Sequence, residues 1–147
     1  IGGVALASRI EVTELTDPDA IEADARPLLD DLAADLGIGL EEMRMATAMT
    51  FDDFFAEEPT GVWIIAFAAP GMTAGAGVEL MRELWTMEAE EETLVFSETE
   101  IGGRAVTRIG STEDPEVALS IYGGDGIVWM VAGADPALLE ETFSKLP

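Results

Sequence analysis

Val62-Trp63-Ile64-Ile65-Ala66-Phe67-Ala68-Ala69 is apolar at every position, and Pro70-Gly71 ends it. A strand with one wet face alternates polar and apolar residues, whereas a strand covered on both faces does not. Eight residues make a strand and fall far short of the ~20 needed to cross a bilayer. Ile127-Val128-Trp129-Met130-Val131-Ala132 has the same character. These two segments are expected side by side, or nearly so, in the middle of one sheet.

The flanking sequence supplies the rest of that sheet. Val4, Leu6, Ile10 and Val12 share one parity, as do Met43, Met45, Met49 and Phe51, and each set predicts a half-buried strand. Residues 94–97, 104–109 and 117–121 predict three more, the second introduced by Gly102-Gly103. Gly123-Gly124-Asp125-Gly126 is a tight hairpin connection. Helices are expected over 17–37, about 74–89 and from Asp135-Pro136 onward. In the first, Asp17-Pro18 is a start signal, Leu28, Leu29, Leu32 and Leu36 recur at helical spacing, and Gly37 is a stop. Pro27 predicts a kink or a restart inside that helix.

The expected fold is α+β: a mostly antiparallel sheet of six or seven strands with two or three helices packed on one face. Two landmarks recur in order. Ile1-Gly2-Gly3 is matched by Ile101-Gly102-Gly103, and Val62-Trp63 by Val128-Trp129. The repetition predicts a pseudo-twofold duplication of a βββα unit within a single domain, 1–147. Residues 1–90 would form the first unit, with 17–37 as a helical insertion, and 91–147 the second.

Composition removes whole classes of chemistry. With no Cys and no His, the chain has no thiol nucleophile, disulfide, Cys/His zinc site or His-based triad of its own. Thirty acids against seven bases give a net charge of −23, which opposes nucleic acid and anionic membrane surfaces. Arg9, Arg26, Arg44, Arg82, Arg104, Arg108 and Lys145 are scattered, so no basic patch is legible. A mean hydropathy of +0.23 is too high for a disordered acidic tail. No apolar run is long enough for membrane insertion of this domain. Many carboxylates with a single lysine suit an acidic extracellular protein and a cytoplasmic protein of a high-salt organism equally. The chain begins Ile1-Gly2-Gly3 without Met, so a removed signal or lipid-anchor segment is one expectation and cropping of a longer chain the other.

Several stretches together carry a resemblance: Leu28-Leu29 through Leu36-Gly37, Glu41-Glu42-Met43, Ile65-Ala66-Phe67 with Pro70-Gly71, Ile101-Gly102-Gly103-Arg104-Ala105-Val106-Thr107, Tyr122-Gly123-Gly124-Asp125 and Leu146-Pro147. The pattern resembles a loose group of uncharacterised exported bacterial proteins and lipoproteins, with Arg104 where that group usually has Lys. The resemblance implies an envelope or extracellular location and no activity.

Four constellations could carry function. Phe54 and Phe55 stand in a segment flanked by Asp52, Asp53, Glu57 and Glu58. Adjacent aromatics with a charged rim suit a protein contact, or else one of them anchors the loop. The four acids are also the best Ca²⁺ candidate, although they lack the D-x-D-x-D-G loop pattern, and a solvated acidic loop is the commoner meaning. The Met43, Met45, Met49 stripe has soft-ligand character without His or Cys support, and reads as core packing. Paired carboxylates could hydrolyse glycosides, but Trp63 and Trp129, which might line a sugar site, read as core on the helix-covered face. A Gly-rich stretch at 71–77 lacks the Lys of a phosphate loop. The first expectation is therefore a non-enzymatic envelope or extracellular module that binds a protein partner or itself, without a cofactor. A carboxylate-based hydrolase and an acidic cation-binding domain are the alternatives.

Overall fold

The computed structural model describes residues 4–11, 25–51, 61–88, 94–111 and 119–147. Seven strands form one sheet: β1 (Val4–Glu11), β2 (Arg44–Phe51), β3 (Gly61–Ala68), β4 (Leu94–Ile101), β5 (Arg104–Ser111), β6 (Leu119–Gly124) and β7 (Ile127–Ala132). Their order is β1-β2-β3-β7-β6-β5-β4, and every neighbouring pair is antiparallel. The two apolar segments, β3 and β7, thus adjoin at the centre, as their composition predicts. Among the described residues three α-helices accompany the sheet: α1 (Ala25–Leu36), α2 (Ala74–Glu88) and α3 (Pro136–Lys145). The architecture is α+β.

Register assigns each side chain a face. Across β3 and β7, Phe67 pairs with Val128, Ile65 with Met130 and Trp63 with Ala132. On the other parity Ala68 pairs with Ile127, Ala66 with Trp129 and Ile64 with Val131. Phe67 and Val128 join Ile109 and Ile121 in a buried cluster closed by Leu29 and Ala33 of α1 and Leu80 and Met81 of α2. This is the first face. Val62, Val106 and Val131 form a separate cluster with Leu139 and Phe143 of α3, on the second face. The helices therefore cover both faces, not one as the sequence suggested. Because β3 and β7 are apolar on both parities, either face can accept a helix.

Strand order is what two three-stranded units meeting at β3 and β7 would give, with β4 added at an edge. The facing of the landmarks differs from that scheme. A twofold axis normal to an antiparallel sheet leaves each face unchanged, yet Trp63 and Trp129 lie on opposite faces, as do α2 and α3.

Local signals explain most boundaries. Thr73 accepts the Ala76 amide at 3.2 Å at the start of α2, and Asp135 accepts those of Ala137 and Leu138 at the start of α3. At the end of α1, Gly37 at φ 66° lets its amide reach Ala34 and that of Ile38 reach Ala33. The described part of α1 begins at Ala25, two residues before Pro27; the expected helical start at 17–24, and with it the kink or restart at Pro27, lies outside the described residues, as does Val117. Gly102 and Gly103, at φ 59° and 78°, are the two-residue turn of the β4–β5 hairpin, with Ile101 paired to Arg104. β4 accordingly runs four residues beyond the expected 94–97.

Candidate functional site

Strand polarity divides the molecule into two ends. β2 finishes at Phe51 and β3 starts at Gly61, and these two residues pair. Leu119 at the start of β6 pairs with Ala132 at the finish of β7, and Leu94 at the start of β4 with Ser111 at the finish of β5. One end of the sheet thus launches or receives the connecting sequences 52–60, 89–93, 112–118 and 133–135. The opposite end carries the Gly102-Gly103 and Asp125-Gly126 turns and the approach to β2.

Met49 and Trp63 pair across β2 and β3 near the first of these ends. They are exposed, at 42% and 40%, although they share a face with buried Phe67. The cause is placement: α1 and α2 close their cluster around Phe67 and Val128, with Met45 packed alongside, toward the other end of β2 and β3. The Trp63 indole N–H donates to Thr47 Oγ1 at 2.7 Å, which fixes the ring on β2 and leaves its apolar surface outward. Cross-strand Met–Trp pairs of this kind are normally given cover. Trp63 is therefore not the core residue its strand suggests. Trp129 is half-buried on the second face, and its indole nitrogen is buried without a hydrogen-bond partner.

Phe54 and Phe55, with Asp52, Asp53, Glu57 and Glu58, lie outside the described residues. Their connection nevertheless leaves the sheet at Phe51 and returns at Gly61, each two residues from Met49 or Trp63. Sequence reasoning named Phe54-Phe55 and missed the exposed Met49–Trp63 pair on the strands that this connection joins. The alternation of β2 marked Met49 as inward, and nothing local reveals that the described parts of α1 and α2 leave it exposed.

Charge is distributed unequally between the ends. The connection 52–60 carries four acids, 89–93 three and 112–118 three, and none of them has a base. α2 runs toward this end, from Gly77 packed against Val128 to Trp85, whose N–H donates to Met130 sulfur at 2.6 Å. Its last turn has no basic residue, and Glu90-Glu91-Glu92 follow. The cations are scattered: Arg44 and Arg104 open β2 and β5 at the opposite end and Lys145 closes α3 there, whereas Arg108, opposite Ser120, lies in the half of β5 nearer this end.

Other constellations are less promising. Met43 is fully buried, Met45 is half-buried in the core and Met49 is exposed, so the methionines do not converge on one point. Among the described residues no group of three or more His, Cys, Asp or Glu is placed to hold a metal. A groove of about 450 Å³ on the second face beyond α3 is floored by Ala46, Ala48, Ala66 and Ala68 and walled by Ile64 and Trp129. A shallower cleft of similar volume lies beside Glu79, Arg82, Glu83 and Phe96. There Arg82 pairs with Glu79 at 3.7 Å and stacks on the Phe96 ring at 4.6 Å, an arrangement of surface ion pairing.

Fold and surface together define an acidic α+β sheet protein with helices on both faces and, among the described residues, an exposed Met49–Trp63 pair. No family model, curated protein or solved structure matches the chain.

Proposed function

We propose that the protein is a non-enzymatic binding or assembly module of the cell envelope or extracellular space. It engages a protein partner, or a second copy, through the Met49–Trp63 corner and the adjoining Phe54-Phe55 segment. The observation that supports this is the exposed Met49–Trp63 pair at the root of a connection with two further aromatics. Aromatic and methionine side chains ringed by charge are the usual centre of a protein contact. No described helix is long and apolar enough to cross a membrane. The surface charge suits an exposed extracellular setting, and suits the cytoplasm of a high-salt organism as well.

Sedimentation of the wild type against Trp63→Ala and the double variant Phe54→Ser/Phe55→Ser tests the reading. Both variants should keep the wild-type circular dichroism and shift self-association or partner binding in the same direction. If the double variant unfolds, those phenylalanines are core; if Trp63→Ala changes no association at all, the corner is not a contact.

A further inference from the structure

We propose that Met49 is a modification site, oxidised by hydrogen peroxide to the sulfoxide while the methionines of the core stay protected. The inference goes beyond the binding-module reading and rests on burial alone. With no cysteine in the chain, its seven methionines carry all the sulfur. A thioether reacts according to its access to the oxidant, and the product turns a flexible apolar side chain polar.

Met43, Met45 and Met49 form a ladder of exposure at one sequence parity, running from the entry of β2 along the strand. Their chemistry is the same and their access is not. Met43 is 0% exposed and Met49 42%, with Met45 between them, half-buried and packed on the first-face cluster. Met72, Met81 and Met130 are buried as well, and the Met130 sulfur accepts the Trp85 N–H. Among the methionine side chains described, Met49 is therefore the exposed one.

The step is a two-electron oxygen transfer. The Met49 sulfur attacks one oxygen of the peroxide, the O–O bond breaks, an S–O bond forms and the remainder leaves as water. Sulfur is oxidised, the peroxide is reduced, and no further reactant is needed. A sulfoxide reductase reverses the change. At this position the fold tolerates the product. A new acceptor on Met49 is open to water, whereas one on Met43 or Met72 would be buried without a donor, at a cost to folding. The Trp63 N–H is committed to Thr47 and does not draw the sulfoxide inward. Oxidation thus makes the Met49–Trp63 pair more polar while the core stays packed, and the contact proposed above should weaken with it.

The test treats the folded protein with hydrogen peroxide and follows each methionine by peptide mass spectrometry. Met49 should oxidise first, then Met45. Met43, Met72, Met81 and Met130 should react roughly a hundredfold more slowly than Met49, since buried sulfur is reached only when the structure opens locally. In urea beyond the unfolding midpoint the differences should vanish. Met49 reacting no faster than Met43 in the folded protein overturns the proposal, as does loss of the native circular dichroism when Met49 alone is oxidised. Sedimentation before and after treatment separates this site from the binding reading. Association should fall on oxidation of the wild type, and the same treatment should add no change to Met49→Leu, whatever its starting association. Association that responds to Trp63→Ala but not to oxidation overturns the polarity effect and leaves the binding module standing. Selective oxidation of Met49 with association indifferent to both leaves the oxidation site and removes the binding module.

Discussion

Gly102 and Gly103 stand side by side in the β4–β5 turn with φ of 59° and 78°, and their surroundings differ. A Cβ on Gly102 would lie 2.7 Å from the Glu140 carbonyl oxygen and 2.8 Å from the Ser144 nitrogen, both backbone atoms of α3. One on Gly103 would meet nothing within 4 Å. Left-handed backbone costs an L-residue roughly 1–2 kcal/mol, and forcing an atom into packed structure adds about 1–3 kcal/mol. Gly103→Ala should therefore destabilise by about 1 kcal/mol and Gly102→Ala by about 3 kcal/mol, read as a difference in urea midpoints. Equal losses would mean that α3 does not press on the hairpin. The contrast between Trp63 and Trp129 is of the same kind. Identical Val-Trp dipeptides end on opposite faces, one exposed and bonded to Thr47, the other half-buried with its nitrogen unpartnered.

α3 is held at both ends by single residues. Asp135 caps its start, and Arg104 gathers its finish. The Arg104 Nε donates to the Phe143 carbonyl at 2.9 Å, Nη1 to Tyr122 Oη at 2.5 Å and to the Pro147 carbonyl at 3.2 Å, and Nη2 to the Leu146 carbonyl. A planar fork can serve several acceptors at once, and an ammonium group cannot reproduce that geometry. Arg104→Lys should cost about 2 kcal/mol, the scale of one charged hydrogen bond lost. It should also raise amide exchange in α3 before that in β3 and β7. Uniform acceleration across the chain would instead show that α3 is not a separable unit. Such docking was only partly legible. The Asp135-Pro136 start and the Leu139 and Phe143 stripe announce the helix, but a stripe says that a helix packs, not against which face. β3 and β7 were legible because they are apolar throughout. The second half of β4 was not, because Ser97, Glu98, Thr99 and Glu100 have no apolar parity, and their strand form comes from pairing with β5. As an edge strand with outward acids, β4 also resists pairing with another sheet. At the candidate site, Phe54-Phe55 could be singled out from residue type alone. The exposure of Met49 and Trp63 could not, because it depends on where α1 and α2 stop.

Across the whole molecule, charge is the term least compensated. The net charge is −23, and the ion pairs among the described residues are local. Arg26–Asp30, Arg82–Glu79 and Lys145–Glu141 each join neighbours on one helix, with exposed side chains. Lys145 holds the Glu141 carboxyl below its ordinary range by hydrogen bonding and by its charge, but fully exposed pairs of this kind add little to stability. They do not offset the repulsion of carboxylates that folding brings onto one compact surface. Salt shortens the reach of that repulsion from ~30 Å at 0.01 M to ~3 Å at 1 M, and the unfolded chain, with its charges farther apart, gains less from screening. The melting temperature should therefore climb steadily with NaCl from millimolar to molar concentration. Most of the rise should come before about 0.2 M, where the Debye length has already fallen below ~8 Å. KCl should act like NaCl, since screening depends on ionic strength. Sucrose at matched osmolality should lack the steep early rise, because an excluded solute strengthens burial without screening charge. A flat salt response would count against a fully exposed carboxylate surface.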